Sequence, residues 1–168
     1  MPKAQKNRAS GKKKPLHSIG AVYGTAVFIA TLACLLMNDI LPNPCPGAAV
    51  PMLILGILVA LLGLYLWYLA AYKARIDDAA KAVRLMTEGI YARMRHPMYV
   101  GLTLVCSGAL LCGGNLFSLI PIVLFFPYLM ILLPNEEKPL QKEFGREWED
   151  YAGSVPRFFP LLKRSKKS

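Results

Sequence analysis

The sequence predicts an all-α fold: a polytopic membrane bundle of about four transmembrane spans, closed by a C-terminal interfacial amphipathic helix. Three observations carry that prediction. The 168-residue chain is 55% hydrophobic and only 18% charged, with a mean hydropathy of +0.39, against ~45–50% apolar and ~25% charged in ordinary globular domains. Four runs, Ser18–Met37, Met52–Tyr72, Met98–Cys112 and Leu116–Leu133, contain no Asp, Glu, Lys, Arg or His. All twenty Lys and Arg residues lie outside those runs and fall into three blocks. The expected organisation is a basic tail at 1–17, one membrane domain at 18–160 and a second basic tail at 161–168. Intrinsic disorder and a soluble nucleic-acid binder are excluded by the apolar fraction, despite a net charge of +10.

The first two runs, of 20 and 21 residues, meet the ~20 apolar residues needed to cross a ~30 Å hydrocarbon core. The first is also longer than the roughly 7–15 apolar residues of a signal peptide. The last two runs are shorter and are separated only by Gly113-Gly114-Asn115, which reads as a tight helical hairpin.

The basic blocks, Lys3 to Lys14, Lys73 to Arg95 and Lys138 to Lys167, leave the connections Asn38–Pro51 and Gly113–Asn115 without Lys or Arg. Both termini and the central segment are therefore expected in the cytoplasm. A membrane-impermeant thiol reagent added outside intact cells should label Cys45, and probes at either terminus should react only from the cytoplasm. An externally reachable terminus would overturn the topology. The same basic flanks have a lipid-facing role, which explains the net charge without nucleic acid.

Between the spans, the segment from Lys73 continues the second helix through Ala82 and breaks at Thr87-Glu88-Gly89. Pro97 then suits the first position of the third span, where its missing N–H is harmless. Pro134 is expected to end the fourth span, with Asn135 as the N-cap of a new helix and Glu136 and Glu137 in its first turn. Leu140, Phe144, Trp148 and Tyr151 recur at helical spacing, an aromatic face suited to the membrane interface or to packing under the bundle. Val155–Pro160 is expected to be extended. Gly20 and Gly24 form a small-xxx-small pair that reads as helix packing.

Cys34, Cys106 and Cys112 lie in apolar runs and Cys45 in a connection, so burial accounts for the first three. With two histidines and no Cys pair at ligand spacing, no metal site is expected. Ionisable groups at membrane depth, the mark of transporters and proton channels, are missing from the spans, as are the Gly-rich dinucleotide and P-loop patterns.

The densest chemistry lies in Gly89-Ile90-Tyr91-Ala92-Arg93-Met94-Arg95-His96-Pro97-Met98-Tyr99-Val100-Gly101. Two arginines, a histidine and two tyrosines converge at a membrane-helix start, whose free N–H groups make an anion site that Arg95 and His96 would reinforce. Interfacial anchoring by Arg and Tyr is the alternative.

The run Arg95-His96-Pro97-x-Tyr99-x-Gly101, preceded by Gly89-x-Tyr91, resembles the signature of the isoprenylcysteine carboxyl methyltransferase family and its phospholipid methyltransferase relatives. Glu136-Glu137-x-x-Leu140, Phe144-Gly145, Tyr151 and Val155-Pro156-Arg157 agree in order and spacing, so the resemblance covers 87–160. It implies an integral membrane enzyme that uses S-adenosyl-L-methionine (SAM) at the cytoplasmic face. It further implies SAM contacts at Tyr91, His96, Pro97, Met98, Tyr99 and Glu136, with Leu85 and Met86 as further candidates. His96, Glu137 and Arg157 are the candidates for catalysis.

The family's arginine one turn before the first glutamate is Leu132 here, and a proline common after the glycine is Ile90. Arg157 or Arg93 then stands in for that arginine, or the acceptor lacks a carboxylate. The methyl acceptor is expected to be a membrane lipid or a prenylated or otherwise lipidic molecule reached from the bilayer. Methyl transfer is an in-line displacement in which positioning and exclusion of water do most of the work. A thiol or amine acceptor would also need a base, for which His96 or a glutamate is nearest. Two rival functions remain: a membrane reductase of the sterol reductase type that uses NADPH, and a non-enzymatic membrane adaptor.

Overall fold

The computed structural model describes residues 17–38, 40–43, 45–79 and 85–158. The basic tails, His17 apart, lie outside them. Five helices follow in order: α1 (His17–Met37), α2 (Ala49–Ala79), α3 (Pro97–Cys112), α4 (Leu119–Phe144) and α5 (Arg146–Ser154). Single 3-10 turns occupy Pro46–Ala48, Gly89–Ala92 and Leu116–Ser118. No strand occurs among the described residues. α1, α2 and α4 are long and apolar enough to cross a membrane, and α3 is a shorter apolar helix. Large apolar side chains point outward along them: Phe28 is 61% and Ile131 70% exposed. So much outward apolar surface requires a hydrocarbon surrounding.

α1, α3 and α4 pack on one another, and α2 lies along α3. Tyr23 and Val27 of α1, Cys106 and Leu110 of α3, and Phe125, Leu129 and Leu133 of α4 form the buried core. The α2–α3 contact is closer still. A Cβ on Gly108 would stand 2.5 Å from the Ala60 nitrogen, and one on Gly63 would stand 2.6 Å from the Val105 nitrogen. The two backbones touch because glycine leaves the room.

At the end remote from the third block of basic residues, asparagines hold the connections together. Asn38 Nδ2 donates to the Gly113 carbonyl at 3.0 Å and Asn43 Nδ2 to that of Gly114 at 2.9 Å. Asn115 Oδ1 caps the following turn by accepting from the Phe117 N–H at 3.1 Å. Cys45 is exposed there, Cys106 is buried, and all four cysteines are free.

Two expectations about the last third require correction. Pro134 does not end the fourth span, and Asn135 does not cap a new helix: α4 runs on through Pro127, Pro134 and Pro139 to Phe144. Proline removes one helical hydrogen bond and crowds the preceding turn. Here tertiary anchors on Glu136 and Glu137, described below, fix the direction of the chain beyond it. The amphipathic segment is also not one helix. Gly145, at φ 53°, sits in the left-handed region that a side chain disfavours, and α5 starts afresh at Arg146.

Candidate functional site

The site forms where the polar segments meet at one end of the bundle. After Glu88, the 3-10 turn Gly89–Ala92 carries the chain to buried Met94, and Pro97 opens α3 directly behind His96. Proline supplies no N–H, so the first free donors of α3 are those of Met98 and Tyr99. The chain returning after α5 then docks on this junction. The Arg95 N–H donates to the Pro156 carbonyl at 2.9 Å, and the His96 N–H to that of Arg157 at 3.2 Å. The Tyr151 hydroxyl donates to the Tyr91 carbonyl at 2.7 Å.

These contacts enclose a cavity of about 290 Å³. Leu85, Met86 and Tyr91 form one wall, the run Arg95 to Tyr99 a second, and Glu136 with Leu140, Phe144, Trp148 and Tyr151 the third. All eight positions expected to contact a cofactor therefore share one cavity. By its spacing the aromatic face suits the membrane interface or packing under the bundle. Trp148, Tyr151 and Val155 do pack with Leu85, Leu140 and Phe144, but the break at Gly145 also makes this face a wall of the cavity.

The two adjacent glutamates face different surroundings. Glu136 accepts a hydrogen bond from the Tyr99 hydroxyl and borders the cavity. Beneath it, the Tyr23 ring meets Tyr99 edge-on at 5.4 Å and stacks on Tyr128 at 5.6 Å.

Glu137 is buried on the neighbouring side of α4. Its Oε1 accepts from Arg95 Nη1 at 3.0 Å and Arg157 Nε at 3.1 Å, with His96 Nε2 also at 3.0 Å. Its Oε2 accepts from Arg157 Nη2 at 2.6 Å. Burial pushes the Arg95 guanidinium down and the charge of Glu137 opposes that shift, whereas the hydrogen bond to Glu137 pushes Arg157 up. Arg95 lies 6.0 Å above the Trp148 ring. Its Nε is the one buried side-chain nitrogen or oxygen without a partner among the described residues.

Of the three residues expected to carry catalysis, His96 thus borders the cavity. Glu137 and Arg157 line an open groove on the other side of Arg95. Arg93 is exposed.

A second cavity, of about 300 Å³, reaches between the helices and is lined by Gly20 and Ala21 of α1, Trp67 of α2, Met98, Tyr99 and Leu102 of α3, and Glu136. Met98, Tyr99 and Glu136 are common to both cavities. The second holds one charged side chain, Glu136, and no basic one. Among the described residues, no cluster of His, Cys, Asp or Glu has the makings of a metal site.

The donor set of the first cavity fits SAM. Free N–H groups at the start of α3 beside Arg95 suit a carboxylate. Glu136 suits an ammonium or a hydroxyl, and the Leu, Met and aromatic walls suit a purine.

Residues 48–147 match the model of a family described as phospholipid methyltransferase. The protein-S-isoprenylcysteine O-methyltransferase of Schizosaccharomyces pombe is 35% identical over 79 residues, covering 46% of this chain and 34% of that protein. Protein-S-isoprenylcysteine O-methyltransferase B of Arabidopsis thaliana is 35% identical over 80 residues, 47% of this chain and 41% of that protein. Methanethiol S-methyltransferase 2 of Bradyrhizobium diazoefficiens is 33% identical over 75 residues, 44% of this chain and 27% of that protein. The matched stretch spans less than half the length of each of these relatives.

Proposed function

We propose that this chain, which belongs to the phospholipid methyltransferase family, is a membrane methyltransferase that binds SAM in the first cavity and admits a lipidic acceptor through the second. One observation carries this reading: two cavities, the first bordered by Arg95 and His96 and the second reaching between the helices without a basic side chain, meet at Met98, Tyr99 and Glu136. A donor and an acceptor held on either side of that shared wall would need no large movement to react. Arg93, Arg95, Lys138, Lys142, Arg146 and Arg157 lie at the end of the bundle that holds the first cavity, which supports a cytoplasmic position for it.

When bound, SAM supplies a methyl group on a sulfonium sulfur. The protein's part is positioning and exclusion of water, which together account for most of the acceleration of such a displacement. The start of α3, with Arg95 and His96, orients one end of the cofactor, and Glu136, fixed by Tyr99, orients a second polar group. Leu140, Phe144, Trp148 and Tyr151 keep water from the reacting centre. With a thiol or amine acceptor, the Glu136 carboxylate, which borders both cavities, would take the acceptor's proton. Glu137 and Arg157 act from behind His96.

Calorimetric titration of purified protein with SAM tests this reading. His96→Ala and Glu136→Ala should each weaken binding about ten- to hundredfold, the equivalent of ~1.5–3 kcal/mol for a charged hydrogen bond. Tyr99→Ala should weaken it less. Wild-type isotherms for both larger variants would reject the site. An adaptor would bind no SAM, and a reductase would prefer NADPH.

A further inference from the structure

Glu137 borders neither of the two cavities, yet its carboxylate receives hydrogen bonds from three side chains on two separate parts of the chain. Both oxygens already accept from guanidinium groups, so the carboxylate carries no proton to donate. The 3.0 Å contact with His96 Nε2 is therefore a bond in which the ring nitrogen donates. A neutral imidazole at this position must then be the Nε2–H tautomer, with Nδ1 left as its lone-pair nitrogen. The ring is also held in orientation. It meets Tyr99 edge-on, with centroids 5.9 Å apart and planes at 68°, and the residue's backbone N–H is bound to the Arg157 carbonyl.

We propose that Glu137 is a positioning residue acting through His96: it fixes the imidazole as the Nε2–H tautomer, so that Nδ1 is the hydrogen-bond acceptor offered to an ammonium or hydroxyl donor of the ligand in the first cavity. Arg157 completes the device. Its bidentate grip on Glu137 and its backbone bond to His96 tie the segment after α5 to the start of α3. A carboxylate behind a histidine that faces a ligand sets which nitrogen is available, without itself touching the ligand. The identity of the ligand rests on the function proposed above, whereas the tautomer does not.

The chain has only two histidines, His17 and His96, so ¹⁵N-histidine labelling in a His17→Gln background leaves one ring to observe. Nuclear magnetic resonance of the protein in bilayers, at alkaline pH, should show protonated Nε2 and unprotonated Nδ1 in a single tautomer. Glu137→Gln should give mixed tautomers and weaken S-adenosylhomocysteine binding about tenfold. Glu137→Asp should restore the Nε2–H form and recover affinity to within a few-fold. Protonated Nδ1 in the wild-type ring would overturn the proposal, as would unchanged tautomer and affinity in Glu137→Gln. If Glu137→Gln does not fold, the wild-type spectrum still decides. If S-adenosylhomocysteine binds neither protein, the functional reading fails and the tautomer remains the judge of the dyad.

Discussion

Gly108→Ala is expected to destabilise the bundle by about 3 kcal/mol or more, at the upper end of what overpacking costs. The added Cβ would stand 2.5 Å from the Ala60 nitrogen and 2.6 Å from the Gly56 carbonyl oxygen. Both are backbone atoms, so no rotamer change relieves the clash and α2 must move away from α3. Gly56, Gly63 and Gly101 make equally close approaches along the same seam, so the separation would spread along both helices. Association of helices in a membrane relies on van der Waals packing of this kind. Denaturant-induced unfolding in detergent should show a large fall in midpoint. Gly153→Ala, a helical glycine in α5 with open space around it, should leave the midpoint unchanged or slightly raised. An unaltered midpoint for Gly108→Ala would reject the close contact. Because Trp67 reaches the second cavity from α2, the same variant should also disturb that cavity.

The seam shows where sequence reading reaches its limit. The boundaries of α1 and α3 were legible because charged groups cannot lie at membrane depth: both helices begin and end within a residue or so of the uncharged runs. The helix-packing reading of Gly20 and Gly24 agrees with their positions against Tyr99 and Leu102. Gly56, Gly63, Gly101 and Gly108 carried no signal because their meaning depends on which helix faces which. Pro134 points to a break by local propensity, whereas Tyr99 on Glu136, and two guanidinium groups and His96 about Glu137, hold the helix on course. The eight positions that share the first cavity sit in short local motifs, and so were legible. The separation of Glu136 from Glu137 was not, because it arises only when the segment carrying Arg157 returns to His96.

The remaining large effect concerns the acceptor. Leu132 stands one helical turn before Glu136 and packs partly buried against the core around Tyr23 and Leu133. The second cavity offers Glu136 and no basic side chain, so an acceptor carboxylate entering it would meet a like charge and find no partner. Removing an unpaired carboxylate from water costs several kcal/mol, and each ~1.4 kcal/mol is tenfold in rate. The chain is accordingly expected to methylate a farnesylated cysteine analogue at least about a hundredfold more slowly than an apolar thiol or amine without a free carboxylate. Leu132→Arg should narrow that gap by raising turnover of the carboxylate-bearing acceptor alone, since only that acceptor gains a partner. Transfer of radiolabelled methyl from SAM to each acceptor in reconstituted vesicles measures the ratio. Efficient methylation of the prenylcysteine by the wild-type chain would show that a cation reaches the acceptor after all. Arg157, released from Glu137, would then be the first side chain to test, because substituting it would have to abolish the carboxylate preference while sparing the neutral acceptor.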